Sequence, residues 1–356
     1  MRILPSVRDT NVTGRKVLLR LDLNLPVSEG KILDDFRLRR ALPMIEWLHE
    51  RKAKIVIATH FASNSPLDFN LIRELLSTHL LPDDILLDNL RIDPREEAAD
   101  DSFARALSAR ADIFVNDAFS ASHRAHASIV GIPKFLPSFA GISFLDEYEE
   151  LSKAFDAPHP FVVILGGAKF TTKLPLIQKF LSLADEIYIV GALANDLLRV
   201  SGHGIGKSLS DPSVDISSLI KNPKVIAPVD VQVVGPTGKR ITSVENVMSD
   251  EIIKDVGPAT VSNINNAVAK AKFILWNGPL GQYEQGFIGT TEDVARAIAL
   301  NTEAFSIVGG GDTIACIRLL GLEYDFGFAS TAGGAMLDFL ATGTLPGIDA
   351  LFTRTQ

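Results

Sequence analysis

Phe305-Ser306-Ile307-Val308-Gly309-Gly310-Gly311-Asp312-Thr313 is the stretch on which the reading of this chain turns. An apolar run ends abruptly in three glycines. The segment after them carries Ile314, Ile317, Leu319 and Leu320 on one prospective helix face. Glycines between a strand and a helix let main-chain N–H groups approach an anion closely, and the helix start adds partial positive charge. Asp312 then stands where a phosphate would bring a divalent cation. A tight strand–helix turn with an aspartate N-cap accounts for the same residues. A glycine-rich turn is a weak motif when taken alone, and with no Gly-Lys-Ser/Thr after it this is not a Walker A loop.

The same arrangement recurs upstream. Phe161-Val162-Val163-Ile164-Leu165 runs into Gly166-Gly167-Ala168-Lys169, with Lys173 four residues on. Two lysines at a helix start oppose the helix dipole, a cost that bound phosphate offsets; a solvated helix end is the plainer account. Glu186 to Val190 leads to Gly191-Ala192, and Lys272 to Trp276 leads to Asn277-Gly278-Pro279. Gly235-Pro236-Thr237-Gly238 reads as a hairpin turn. Thr290 with Asp293 suggests an N-cap for a helix ending at Leu300, and Ser330 to Gly334 opens a final helix to about Leu340.

Nearer the start, four further strands end in polar residues. Lys16 to Leu21 leads to Asp22 and Asn24, and Lys54 to Thr59 leads to His60. Ile85 to Leu87 leads to Arg91, and Asp112 to Val115 leads to His123, Arg124 and His126. Open α/β sheets bind ligands at the carboxyl ends of their strands. An Asx turn closing the strand is the plainer account of Asp22, but polar residues repeated at four strand ends are harder to dismiss than any single case. The two histidines three apart have no third ligand or HExxH context, so a cationic pocket for a phosphorylated carboxylate suits them better than a metal. Arg37 sits in the first turn of a helix expected after Asp34 and Asp35, where a cation is disfavoured unless an anion is near. Pro43 implies a kink or a late start for that helix.

The totals agree with two soluble domains. The chain has 356 residues, 46% hydrophobic and 22% charged, enough for two cores of ordinary size. Up to residue 155 there are 20 Lys+Arg against 23 Asp+Glu, and 15 against 20 beyond it, so neither half is a basic nucleic-acid platform. The single cysteine, Cys316, excludes an internal disulfide and a cysteine metal site. No apolar run reaches membrane-spanning length, and with no apolar signal core the expected location is the cytoplasm. Asp156-Ala157-Pro158-His159-Pro160 is the expected domain joint. Strand–helix alternation on both sides of it predicts α/β architecture, two open parallel sheets each flanked by helices.

Taken together and in order, these motifs resemble the phosphoglycerate kinase family over nearly the whole chain. The resemblance is carried by Arg20, Asp22, Asn24 and Pro26; by Arg37; by Asn89-Leu90-Arg91; and by Val115-Asn116-Asp117-Ala118-Phe119 with His123-Arg124-Ala125-His126. It continues through Gly166-Gly167-Ala168-Lys169 with Lys173, Gly206-Lys207-Ser208-Leu209, Pro228-Val229-Asp230, Trp276-Asn277-Gly278-Pro279, Glu284 and Gly309 to Thr313. It implies reversible phosphoryl transfer between ATP and the carboxylate of 3-phosphoglycerate, with ADP and 1,3-bisphosphoglycerate on the other side. Residues 1–155 with a returning tail near 343–356 would bind phosphoglycerate through Asp22, Asn24, Arg37, His60, Arg91 and Arg124. Residues 156–342 would bind the nucleotide through Lys173, Gly191, Asn277, Glu284, Gly309, Gly310, Gly311, Asp312 and Thr313. Asp312 would serve Mg2+, and Arg37 with Lys169 would clamp the phosphoryl group in transit. The resemblance also implies a cleft and hinge between the domains, a monomer, and no nucleic-acid or membrane partner.

The chain departs from the family pattern in four places. Ser63 replaces a substrate-side arginine, Val190-Gly191-Ala192 replaces a triple glycine, Ala332 replaces another glycine, and the stretch between His60 and Asp88 is short. A non-catalytic relative that binds nucleotide or phosphoglycerate, as a sensor or interaction protein, is the alternative. A dinucleotide oxidoreductase lacks its Gly-x-Gly-x-x-Gly turn here.

Overall fold

The structure is a computed structural model describing residues 2–62, 66–168, 170–213 and 215–353. Ser63 and Lys169, both singled out above, lie outside the described residues. The chain divides into two compact units, Met1–Glu149 with Gly343–Gln356, and Glu150–Thr342.

The first unit begins with β1 (Lys16–Leu21), a small hairpin of β2 (Val27–Ser28) and β3 (Lys31–Ile32), and α1 (Phe36–Glu50). Then come β4 (Lys54–Thr59), α2 (Pro66–Ser77), β5 (Ile85–Leu86), α3 (Pro94–Glu97), α4 (Asp101–Ser108), β6 (Ile113–Asp117), β7 (Ser138–Ala140) and α5 (Ile142–Ser152). Its sheet is parallel throughout, in the order β5-β4-β1-β6-β7. Central strands covered on both faces must be apolar nearly throughout, and β1 and β4 are buried at every position after their first lysine. Leu19, Leu21, Ile55 and Ile57 pack on Leu38, Met44, Ile45 and Leu48 of α1. On the other face Leu18, Val56 and Phe114 meet Ala104 and Leu107 of α4. Helix α1 runs through Pro43 without starting late; Pro43 stands well inside it. The carboxylate of Asp34, not that of Asp35, accepts the first N–H, from Phe36.

The second unit holds β8 (Phe161–Leu165), α6 (Phe170–Phe180), β9 (Glu186–Ile189), α7 (Ala192–Val200), β10 (Val225–Ile226), β11 (Asp230–Gly235), β12 (Gly238–Ser243) and β13 (Ile252–Val256). It continues with α8 (Pro258–Val268), β14 (Phe273–Asn277), α9 (Gly289–Leu300), β15 (Phe305–Gly309), α10 (Gly311–Leu319), β16 (Phe328–Ser330) and α11 (Gly334–Thr342). Its parallel sheet has the order β10-β9-β8-β14-β15-β16. A second sheet is antiparallel, β12-β11-β13; the β-like pattern at Val229-Asp230-Val231 and the hairpin turn, Gly235 opposite Gly238, mark it in the sequence, whereas β13 goes unmarked. Thr290 does not cap α9. It lies one residue inside the helix, and its hydroxyl donates to Asp255. Nor is α11 the last helix, because α12 (Pro346–Ala350) follows and belongs to the first unit. Both parallel sheets taper: the edge strands β5 and β10 have two residues, and β7 and β16 three.

Candidate active site

Strand register brings the first group of polar residues level. Leu21 is paired with Thr59 of β4 on one side and with Asp117 of β6 on the other. Asp22, His60 and the turn after Asp117 therefore leave the sheet at one height. Asp22 Oδ2 lies 2.9 Å from Arg37 Nη1 and also accepts the Ser120 hydroxyl, while its Oδ1 accepts the Asn24 N–H at 3.1 Å. Burial alone would raise the Asp22 pKa, but Arg37, His60, Ser120 and Asn24 hold it below the ordinary value, as a carboxylate. Arg37 Nη1 also donates to the Asn24 carbonyl at 3.1 Å, and Asn24 Oδ1 accepts from the Ala62 N–H at 2.8 Å. Arg37, Asp22 and Asn24 thus form one interlocked corner.

His60 is buried, and burial together with Arg20, Arg91 and Arg124 draws its pKa down to about 3. His126, half-buried, is drawn to about 4 by burial and by Arg124, Arg20 and Arg91. Both rings are therefore neutral donors or acceptors at physiological pH, set among arginines. Arg91 Nε is 3.4 Å from Glu97, and Arg124, exposed, donates to the His123 ring at 3.2 Å. The structure thus gathers all six of the residues expected here. It adds Glu96 and Ser128, which the sequence did not mark, and draws in Arg20 and His126, which the motifs above contain without an assigned role. Arg20 had a visible signal, as a cation inside the apolar strand Lys16 to Leu21; Glu96 and Ser128 had none.

In the second unit Asn277 is paired with Leu165 and with Gly309, so Gly166, Gly278 and Gly310 emerge side by side. The backbones are so close that a Cβ on Gly166 would lie 2.0 Å from the Pro279 carbonyl oxygen. The fully buried Trp276 pins this turn through its indole N–H to the Gly278 carbonyl at 2.9 Å. Lys173, expected to be open to phosphate, is buried instead. Its ammonium donates to the Gly166 carbonyl, to the Asn277 carbonyl at 2.9 Å and to Asn277 Oδ1 at 2.8 Å. Burial draws its pKa down to about 7. Three oxygen acceptors nevertheless match the three N–H bonds of an ammonium and favour the charged form. Gly310 has φ +100°, Gly311 opens α10, and Thr313 is fully buried, its hydroxyl unpartnered among the described residues.

Beside these turns lies a cavity of about 310 Å3. Gly191, Glu284 and Asp312 all line it, and Leu198, Val231 and Leu280 supply apolar wall. Asn195, Lys254 and Asp255 also line it and were not foreseen. Lys254 donates to Gln282 at 2.7 Å and to Gln285 at 3.0 Å. Asp255, raised to about 7 by burial, accepts from Thr290 at 2.6 Å. An apolar slot with a few polar groups, next to a glycine turn at strand ends, can seat a nucleotide base beside its phosphates. Among the described residues no group of three or more His, Cys, Asp or Glu could hold a metal by itself. Magnesium commonly needs only one or two carboxylates when a nucleotide's phosphates complete its shell, and Asp312 in the first turn of α10 fits that mode.

Comparison with known proteins adds the chemistry. The family model described as phosphoglycerate kinase matches residues 7–80 and 77–343. The two matches meet at the turn between α2 and β5. A phosphoglycerate kinase of Wolbachia pipientis is 37% identical over 395 positions, covering 99% of both chains. One from Thermomicrobium roseum is 37% identical, covering 97% of this chain and 98% of its own. The solved phosphoglycerate kinase of Coxiella burnetii superimposes with a TM-score of 0.87 at 33% identity, covering 99% of this chain and 100% of its own. That of Pyrococcus horikoshii gives 0.83 at 29% identity, covering 98% of each.

Proposed function

The chain belongs to the phosphoglycerate kinase family, and from that premise we propose how its residues divide the reaction. The family's enzymes transfer the terminal phosphoryl group of ATP to the carboxylate of 3-phosphoglycerate, reversibly, within glycolysis and gluconeogenesis. In our reading the first unit binds phosphoglycerate through Asp22, Asn24, Arg37, His60, Arg91 and Arg124. The second binds the nucleotide through Gly191, Asn277, Glu284, Gly309 to Gly311, Asp312 and Thr313, with the Lys173 ammonium held behind them by protein oxygens. The observation that carries this is the set of arginines around two neutral histidines at level strand ends, an arrangement that suits a polyanionic small molecule.

The accepting carboxylate is already ionised at neutral pH, since such groups titrate near 4, so no general base is required. What remains is to align two anions and stabilise charge on the phosphoryl oxygens. Asp22 holds Arg37 through its 2.9 Å ion pair, presenting a guanidinium whose remaining N–H groups can face the phosphoryl group. Lys169, four residues beyond Leu165 in the sequence, supplies the second cation in this reading. Asp312 would hold the Mg2+ that accompanies the nucleotide, and that ion would supply positive charge against the phosphate oxygens. Lys173 fixes the Gly166 and Asn277 turns against each other, so that their main-chain N–H groups keep their spacing. We further propose a cytoplasmic monomer; no helix among the described residues is long and apolar enough to cross a membrane.

A coupled assay of ATP- and Mg2+-dependent phosphorylation of 3-phosphoglycerate tests the reading. Lys169→Ala and Arg37→Ala should each lower kcat far more than they raise either KM. Arg124→Ala should chiefly raise the KM for 3-phosphoglycerate. Wild-type protein that binds phosphoglycerate but turns over no nucleotide would reverse the catalytic assignment.

A further inference from the structure

We propose that Glu96, acting through Ser128 and Arg20, is a positioning residue that fixes the tautomer and orientation of His60 for the phosphoglycerate anion. The proposal rests on the reading of the first unit as the phosphoglycerate site. Four side chains from β1, α3, the residue after β4 and the π-helical turn Ala127–Gly131 form one hydrogen-bonded series. Glu96, Ser128 and Arg20 are fully buried, and His60 is 5% exposed. Glu96 accepts the Ser128 N–H at 2.9 Å through Oε2, and its Oε1 accepts the Ser128 hydroxyl at 2.5 Å. With its proton directed at Glu96, that hydroxyl accepts from Arg20 Nε at 2.9 Å. Arg20 Nη2 then reaches His60 Nδ1, also at 2.9 Å.

The direction of every bond follows from its members. A carboxylate only accepts and a guanidinium only donates, so the serine hydroxyl between them must donate its hydrogen bond to Glu96. His60 Nδ1, facing a donor, must accept, and the ring proton therefore sits on Nε2. A neutral histidine locked as the Nε2–H form offers a donor to an anion at any pH near neutrality. Oε1 of Glu96 lies 3.8 Å from His126 Nδ1 as well, so the same carboxylate faces the second histidine of the cluster. Among the described residues no carboxylate stands within 4 Å of Arg20, and the serine hydroxyl is what connects its charge to Glu96. Ser128 occupies a π-helical turn, a geometry that recurs where a side chain is placed for a site.

Two variants of the full chain test this. Glu96→Gln puts an amide where an acceptor is required, and Ser128→Ala cuts the series while leaving the Ser128 main-chain N–H for Glu96. Both should raise the KM for 3-phosphoglycerate about tenfold, the loss of roughly one hydrogen bond to a charged group. The KM for ATP and the kcat should stay within about twofold of wild type. Nitrogen-15 spectra should show His60 as the Nε2–H tautomer in the wild type and as a tautomer mixture in both variants. An unchanged tautomer would overturn the proposal. So would KM values for both substrates rising together with a lowered Tm, because that pattern belongs to a structural role. If the wild type fails to bind phosphoglycerate, the substrate reading itself falls, and the tautomer comparison still decides whether Glu96 positions His60.

Discussion

Lys173 donates to both oxygens of Asn277, the side-chain one at 2.8 Å and the main-chain one at 2.9 Å, and so joins the start of α6 to the end of β14. Lys173→Met keeps the length of the side chain and removes every donor. Three buried oxygens then lose their partner, which should destabilise the protein by about 3 kcal/mol. Denaturant unfolding measures it. A loss below about 0.5 kcal/mol would mean that water replaces the ammonium.

Gly310 and Gly311 stand next to each other, yet substitution should separate them. Gly310 has φ +100°, and an added Cβ would lie 3.3 Å from the Gly278 nitrogen. Gly311 has ordinary backbone angles, with nothing within 4 Å of an added Cβ. Gly310→Ala should cost about 1–3 kcal/mol in unfolding free energy, and Gly311→Ala should change it by less than about 0.5 kcal/mol. Equal losses would mean that the turn relaxes as a whole.

Asp117 gives a pH signature of defined sign. Burial raises its pKa to about 7, against an ordinary value near 4. Between those values the folded state holds a proton that the unfolded chain has released. This contribution to stability is full below about pH 4 and is lost as pH rises to 7. Asp117→Asn removes that loss. Relative to wild type, the variant should gain about 1–3 kcal/mol between pH 4 and pH 8. Parallel unfolding curves at the two pH values would show that the carboxyl titrates normally.

His60 acts in the opposite direction. Its folded pKa near 3 lies below the ordinary histidine value, so between about 3 and 6.5 the unfolded chain binds the extra proton and stability falls on acidification. His60→Gln, which keeps an N–H donor and cannot ionise, should flatten this acid limb and hold the KM for 3-phosphoglycerate within about tenfold of wild type. His60→Ala should raise that KM further. If the glutamine variant is as poor as alanine, the ring itself, not its donor, is what binds.

Strand ends were the part of the fold most legible in the sequence, for a physical reason. A parallel strand covered on both faces must be apolar, so its boundary shows as a sudden change of residue type, as at Leu21-Asp22 and Val308-Gly309. The antiparallel β12-β11-β13 sheet was less legible because Lys239, Arg240 and Thr242 lie on a largely exposed strand with no long apolar run. Within the site, residues that face the ligand stand out by charge. Residues that hold them do not: Glu96 and Ser128 are polar side chains in unremarkable sequence, and only the fold brings them 32 positions back together. Lys173 was recognised by its spacing from Lys169, but its engagement with three oxygens depends on Asn277, about a hundred residues away.

The tapering of both parallel sheets has a consequence for how the molecule behaves among its own copies. A strand added from another chain needs a row of unpaired backbone groups to dock on. At β5 and β10 that row is two residues long, and at β7 and β16 three. The long apolar strands that would template growth most strongly, β1, β8 and β14, are each flanked by strands on both sides. Fibrous association would first require a peripheral strand to peel away. Conditions that fray these short edges, rather than those that merely crowd the folded protein, are therefore the ones under which this chain should begin to aggregate.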